Sequence, residues 1–267
     1  MPLMNLVILA LIQGITEFLP ISSSGHLALF PALSGAADQG LSIDVAVHVG
    51  TLVAVVIFFW TDVRAAVVGG LQVLTGKVSS YEAGLALRLV VATVPVVIAG
   101  LILSAAGLTD IFRNVEIIAW ATIVFGVVLY IADRFGPLVR EAEDWTWRDA
   151  IVMGLAQAVA LIPGTSRSGI TITAARALGY KRPDAARLSM LMSVPTILAA
   201  GVLTTKDLLD AGDATLGTEA VIAAVLSCIA ALLALALMMR MLRTWSLTPF
   251  VIYRLLLGGA LLIWLYA

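Results

Sequence analysis

LMNLVILALIQGITEFLPISSSGHLALFPAL, residues 3–33, is the stretch whose reading decides the fold. It is long and apolar enough to cross a membrane, yet Pro20, Ser22, Ser23, Ser24, Gly25 and His26 interrupt it midway. Proline removes a backbone donor and Ser-Gly runs favour turns, so one continuous helix is not expected. Residues 150–178, AIVMGLAQAVALIPGTSRSGITITAARAL, repeat the pattern around Pro163, Gly164 and Gly169. Non-helical backbone survives at membrane depth only where protein buries it or it lines a wet cavity. Both stretches therefore read as re-entrant helical hairpins.

The remainder of the chain agrees with a bilayer as solvent. Of 267 residues, 61% are hydrophobic and 12% charged, against about 45–50% and 25% in soluble domains. Mean hydropathy is +1.06. This composition excludes a disordered chain, a coiled coil and a disulfide scaffold. A net charge of −1 with no basic block argues against a nucleic-acid partner. Cys228 stands alone, and the first basic residue is Arg64, so neither a disulfide nor a cleaved signal peptide is expected. Six further stretches, roughly 43–60, 85–104, 115–132, 186–204, 218–239 and 247–266, are long enough to span about 30 Å of hydrocarbon. The expectation is an all-α polytopic membrane protein, one domain over 1–267, with about six transmembrane helices and two re-entrant hairpins.

Charge placement orients it. If both hairpins return to the side they enter from, one set of loops holds Arg64, Lys77, Arg134, Arg140, Arg148, Lys181, Arg182, Arg187, Arg240 and Arg243. The other holds Arg113 and Lys206. Ten against two places the first set in the cytoplasm. Both termini and the acidic loop at Asp207, Asp210 and Asp213 then fall outside. The hairpins enter from opposite faces, so their tips can meet near the midplane. At an offset of 144, Gln13 matches Gln157, Ser22 matches Ser166, Ser24 matches Ser168 and Gly25 matches Gly169. One position out of register, Val49-Gly-Thr51-Leu matches Val194-Pro-Thr196-Ile. An odd number of crossings makes this an inverted-topology repeat, with halves of roughly 1–133 and 134–267, and such architectures place their site where broken helices meet.

The breaks also carry the chemistry. Gln13 and Glu17 are spaced i, i+4 and share a helix face. The second break, Pro163-Gly-Thr-Ser-Arg167-Ser-Gly169, combines a fixed cation with hydroxyls and glycines, followed by a helix start whose free amides suit phosphate. Single serines or glycines in membrane helices usually serve close packing. Glu17 and Arg167 are different, because a charge at the centre of a bilayer helix costs at least ~2.5–3.5 kcal/mol. Two readings stand for them: a ligand-binding pair, or a structural ion pair joining the breaks.

Gln13-x-x-x-Glu17, the Pro-x-Ser-Ser-x-Gly-His run ending at His26, and Pro-Gly-x-Ser-Arg-Ser-Gly at 163–169 together resemble the bacterial undecaprenyl-pyrophosphate phosphatase family, the bacitracin-resistance type. The resemblance covers nearly the whole chain, including Ile43–Thr51, Ala92–Pro95, Leu191–Pro195 and Thr248–Arg254. It implies hydrolysis of undecaprenyl pyrophosphate to the monophosphate and inorganic phosphate, recycling the cell-wall lipid carrier. It also implies a divalent cation (Mg or Ca), a bacterial cytoplasmic (inner) membrane location with the site open to the outer face, and a possible homodimer. Carried onto this chain, Glu17 and Gln13 would hold the cation. Gln13 stands where the family admits Glu or Gln, so Glu17 is the sole carboxylate of that pair. Arg167 would grip phosphate. Ser22, Ser24, Gly25, Gly164, Thr165, Ser166, Ser168, Gly169 and Thr171 would line the substrate. Ser23 is the expected nucleophile with His26 as proton acceptor or orienting group; the rival scheme has His26 activate water. Asp44 and His48 read as a second layer to the metal or a buried pair, and Tyr253 with Arg254 as structural. Lys181, Arg182 and Arg187 read as topology residues alone.

Two other classes share parts of this pattern. Phosphatidic-acid-type phosphatases use a second histidine downstream of Ser-Arg, whereas the two histidines here, His26 and His48, both lie upstream. A lipid-phosphate transporter would share the paired broken helices but has no need of nucleophile, base and metal ligand concentrated within residues 13–26.

Overall fold

In the computed structural model, which describes residues 2–34, 40–108, 114–210 and 217–267, every regular element among those residues is helical. Arg113 and Asp213 lie outside the described residues, as do the side chains of Lys206, Asp207 and Asp210. The chain runs α1 (Leu3–Thr16), α2 (Ser23–Ser34), α3 (Leu41–Phe58), α4 (Trp60–Leu74), α5 (Tyr81–Ala105), α6 (Val115–Phe135), a 3-10 turn (Ala142–Asp144), α7 (Trp147–Val159), α8 (Arg167–Ala177), α9 (Arg182–Asp210), α10 (Thr218–Met241) and α11 (Thr248–Tyr266). Five helices are long and apolar enough to cross a membrane: α5, α6, α9 over Arg182–Val202, α10 and α11. A sixth candidate span is the pair of α3 and α4, bent by 95° at Phe59, when the two helices are counted as one.

That bend departs from the sequence expectation, which ends the span near 60 and leaves Arg64 in a loop. Asp62, Arg64, Gly69 and Gly70 dilute the hydropathy of 60–74, yet the segment is a helix with Trp60, Val67, Leu71 and Leu74 exposed. Gly69 lets it lie on the start of α5, since a Cβ there would stand 1.9 Å from the Glu82 carbonyl oxygen.

Packing follows membrane rules. On α10, Val225, Ile229, Leu233 and Leu237 recur every four residues on the exposed face, which would be an aggregation-prone patch in water but is ordinary lipid contact. The opposite face carries Ala220, Ala223, Ser227, Ala230, Ala231 and Ala234. Small residues let backbones approach closely where lipid offers no hydrophobic drive. Accordingly, a Cβ on Gly50 of α3 would lie 2.2 Å from the Ala224 carbonyl oxygen, and one on Gly14 of α1 2.5 Å from that of Ser227.

Charged residues gather at one rim. Fully buried Arg176 donates from Nε to Asp133 at 3.0 Å and from its two Nη atoms to the carbonyls of Asp133, Gly136, Pro137 and Tyr180. Arg140 pairs with Asp149 at 2.6 Å, and the Tyr180 hydroxyl donates to the same carboxylate at 2.7 Å. Lys181, Arg182 and Arg187 prove to do more than set topology: they pair with Glu141, Asp133, and Asp62 plus Glu143 respectively. Arg187 thereby ties α9 to α4. A polar cavity of about 330 Å³ opens at this rim, lined by Tyr130, Asp133, Arg134, Arg182, Ser246 and Thr248, and contains none of the motif residues.

Candidate active site

Both hydrophobic stretches are broken where the sequence places the breaks: α1 and α2 flank residues 17–22, and α7 and α8 flank 160–166. Each break ends in a serine with positive φ, Ser22 at 75° and Ser166 at 71°, the two such non-glycine residues among those described. A left-handed non-glycine residue costs on the order of 1–3 kcal/mol and persists where surrounding structure enforces it. Here the enforcement is local capping. Ser22 Oγ accepts the Gly25 N–H at 3.3 Å, and Ser166 Oγ accepts the Gly169 N–H at 3.1 Å. The neighbouring hydroxyls repeat as well, Ser22 with Ser24 at 3.3 Å and Ser166 with Ser168 at 3.2 Å. The serine and glycine positions paired at the offset of 144 thus repeat these contacts, whereas Gln13 bonds Glu17 and Gln157 bonds the Ala92 carbonyl.

The two breaks touch. A Cβ on Gly25 would meet Gly164 Cα at 3.6 Å, and Ser168 Oγ donates to the Leu19 carbonyl at 2.9 Å. Arg254 of α11, fully buried, holds them together: it donates to the carbonyls of Thr165 and Gly164 at 2.9 Å, Pro20 at 3.2 Å and Thr122 at 3.0 Å. One guanidinium thereby satisfies carbonyls that a helix break leaves without partners.

At the junction Glu17 accepts three donors. Arg167 Nη2 lies 2.9 Å from Oε1, while Ser23 Oγ at 2.6 Å and Gln13 Nε2 at 3.0 Å both reach Oε2. The ion pair is nearly dry, with side chains 7% and 13% exposed for Glu17 and Arg167. The structure therefore brings Gln13, Glu17, Ser23 and Arg167 into one cluster. The hydroxyl of Ser23 is bonded to Glu17, and the imidazole of His26 is engaged elsewhere: Nδ1 stands 2.7 Å from the Ser22 carbonyl oxygen and Nε2 2.5 Å from Tyr253 Oη. Ser24 is exposed, and Ser23, His26 and Arg167 are half-buried, so these four face the accessible side.

The remaining expected ligands sit deeper. Ser168 and Thr171 are fully buried, and the Thr171 hydroxyl is shared with the Arg167 carbonyl at 2.8 Å and Ser189 Oγ at 2.6 Å. Gly164, at φ +91°, abuts the Ile118 carbonyl, and Gly169 abuts Ser166 and Arg254. His48 Nδ1 lies 2.7 Å from the backbone carbonyl of Asp44. Tyr253, read from the sequence as structural and lying outside both motifs, places its hydroxyl against His26 of the first break.

Three buried polar atoms around the cluster have no partner among the described residues: Gln13 Oε1, Thr165 Oγ1 and Arg167 Nη1. Unsatisfied buried groups cost about 1–3 kcal/mol each, and a structural ion pair alone gives no reason to hold them. An acceptor on a residue bonded to a carboxylate and an unpaired guanidinium nitrogen suit a cation and an anion respectively.

Comparison with known proteins identifies the lineage. Residues 6–260 match the family described as Bacitracin resistance protein BacA. The chain belongs to this family. It is 55% identical over 267 residues to an undecaprenyl-diphosphatase of Roseobacter denitrificans, covering the whole of both chains. It is 58% identical over 262 residues to one of Ruegeria sp. (strain TM1040), covering 98% of each, and 46% identical over 263 residues to one of Hahella chejuensis, again covering 98% of each.

Proposed function

We propose that this chain hydrolyses undecaprenyl diphosphate to undecaprenyl phosphate and inorganic phosphate. The observation that carries the reading is the 2.6 Å hydrogen bond from Ser23 to a carboxylate whose other oxygen binds Arg167, with an unpaired Arg167 nitrogen left over. Phosphoryl transfer demands mainly positioning and charge neutralisation. Ser23 Oγ attacks the terminal phosphorus as its proton passes to Glu17, and the anhydride P–O bond breaks to release the lipid monophosphate. Water then attacks the phosphoserine, its proton passing to Tyr253 Oη as the Tyr253 hydroxyl proton passes to His26 Nε2; the Oγ–P bond breaks, Glu17 returns its proton to Ser23 Oγ, and inorganic phosphate leaves. Arg167 Nη1 binds the equatorial oxygens, and can do so bidentately by turning from Glu17.

A divalent cation belongs to the same reading. Among the described residues no three His, Cys, Asp or Glu side chains converge, so a cage made wholly of protein carboxylates and imidazoles is not on offer. Glu17 with the orphaned Gln13 Oε1 fits the mode in which Mg²⁺ uses one or two carboxylates and takes its other ligands from phosphate and water. When bound, the ion would neutralise charge on the pyrophosphate. Access from the outer face is supported by the ten-to-two charge partition, and the inverted repeat of 1–133 and 134–267 by the matched geometry of Ser22 and Ser166.

The test is phosphate release from the C55 pyrophosphate by purified protein in detergent, with and without chelator. Ser23→Ala is expected to abolish turnover, and a trapped phosphoserine at Ser23 to identify the intermediate. Ordinary turnover by Ser23→Ala would transfer the attack to water activated by His26. Lipid translocation without metal-dependent phosphate release would favour a transporter instead.

A further inference from the structure

Tyr253 lies on α11, one residue before Arg254, and its Oη stands 2.5 Å from His26 Nε2. The two rings stack, with centroids 5.7 Å apart and planes 13° apart. The other edge of the imidazole fixes the proton. Its Nδ1 is 2.7 Å from the carbonyl oxygen of Ser22, and a carbonyl only accepts, so Nδ1 carries the hydrogen. In the neutral ring Nε2 then holds a lone pair, to which the Tyr253 hydroxyl donates.

We propose that Tyr253 positions His26 and couples it to the attacking water: it locks the imidazole as the Nδ1–H tautomer, donates its hydroxyl to the Nε2 lone pair, and continues to hold the ring once Nε2 is protonated. The proposal rests on the phosphatase reading above. A single anchor at Nδ1 leaves the ring free to tilt, whereas anchors at opposite edges fix its plane. A phenol suits both protonation states because it donates and accepts. When the Tyr253 proton moves to Nε2 and Oη takes the proton of the water, Oη–H···Nε2 becomes Nε2–H···Oη without moving a protein heavy atom, and the second bond is charge-assisted, about twice as strong as a neutral one. A carboxylate in this place would hold the imidazolium too firmly to return its proton, and phenylalanine would not hold Nε2 at all. The placement is not accidental to the fold, because Arg254 bonds the same turn of α11 to the carbonyls of both breaks.

The chain has two histidines, so ¹⁵N-histidine labelling yields two ring systems, and His26→Asn identifies the one it removes. In the unsubstituted protein above the imidazole titration, His26 is expected to show a protonated Nδ1 and an unprotonated, hydrogen-bonded Nε2. Tyr253→Phe is expected to shift those signals toward tautomer averaging, to lower kcat about tenfold, less than the 10²–10⁴ typical of losing the general acid or base itself, and to leave KM within twofold. Adding Tyr253→Phe to His26→Asn should cost nothing further. An Nε2–H tautomer in the unsubstituted protein would overturn the proposal without recourse to any variant. So would a Tyr253→Phe enzyme with unchanged kcat, or a full tenfold loss on the His26→Asn background. Full turnover by His26→Asn would overturn the role of His26 as well, and that failure is distinguishable because it leaves the histidine itself dispensable.

Discussion

Arg167→Met separates a structural ion pair from a ligand-binding one. Glu17 is 7% exposed and accepts from Arg167, Ser23 and Gln13, so the substitution leaves a buried carboxylate with two neutral donors. Removing one partner of a buried pair costs about 3–5 kcal/mol, but the carboxyl can escape by taking a proton. From an ordinary glutamate value of about 4.3, protonation at pH 7 costs about 3.7 kcal/mol, at about 1.36 kcal/mol per pH unit. The loss of stability is therefore capped near 3.7 kcal/mol at pH 7 and near 1 kcal/mol at pH 5 on the same arithmetic. The doubly substituted Glu17→Gln/Arg167→Met protein has no charge to strand and should recover most of that loss, yet remain inactive.

Unfolding in mixed micelles at the two pH values measures the first effect, and phosphate release from C55 pyrophosphate the second. A destabilisation that is the same at pH 5 and pH 7 would refute the stranded-carboxylate argument. Turnover in the double variant would refute the ligand role of the pair and leave it a structural clamp.

Three further outcomes follow from other parts of the structure. Arg254→Lys, which keeps the charge but offers three donors where the guanidinium offers five, should destabilise by about 3 kcal/mol through orphaned carbonyls and slow turnover, checked by unfolding and kcat in one preparation. Ser166→Gly should fold within about 1 kcal/mol of the original, because glycine tolerates both the cap and the positive φ, whereas Ser166→Val should cost about 1–3 kcal/mol in the same unfolding assay. Asp149 lies at the charged rim, where burial opposes its charge but the bonds from Arg140, Thr146 and Tyr180 prevail and hold its carboxyl well below the usual carboxylate range. The stability it contributes is fully present above about pH 4, the ordinary aspartate value, and declines as pH falls toward the depressed folded value; melting temperatures should be flat from pH 5 to 8 and fall in acid, with a shallower fall in Asp149→Asn.

The breaks were legible in the sequence because Pro20, Pro163 and the Ser-Gly runs stand inside otherwise apolar stretches, and Glu17 and Arg167 because charge at membrane depth is costly. The α4 helix was not, since Asp62, Arg64 and two glycines make 60–74 look like a loop while its apolar residues fall on one face only. Within the site, composition shows four hydroxyls near Arg167 but not their facing. The structure spends Ser168 and Thr171 on Leu19 and Ser189, and leaves Thr165 unpartnered. Tyr253 reaches His26 across 227 positions, and no local pattern announces a contact of that span. The same holds for Arg176, whose carbonyl partners become visible only once α6 and α8 lie side by side.

The two arginines at the junction divide a problem that the bilayer creates. A broken helix exposes carbonyls that lipid cannot satisfy, so a site built from two breaks needs an internal donor before it can bind anything. Arg254 is that donor, spent on the carbonyls of both breaks. This leaves Arg167 free to pair with Glu17 through Nη2 alone and to keep Nη1 unpartnered. A single arginine could not do both: one engaged with backbone has no edge left for phosphate, and one engaged with phosphate would let the breaks relax each time product left. The separation explains why a chain that is 12% charged keeps two guanidiniums within reach of the same junction, where one would suffice to neutralise Glu17.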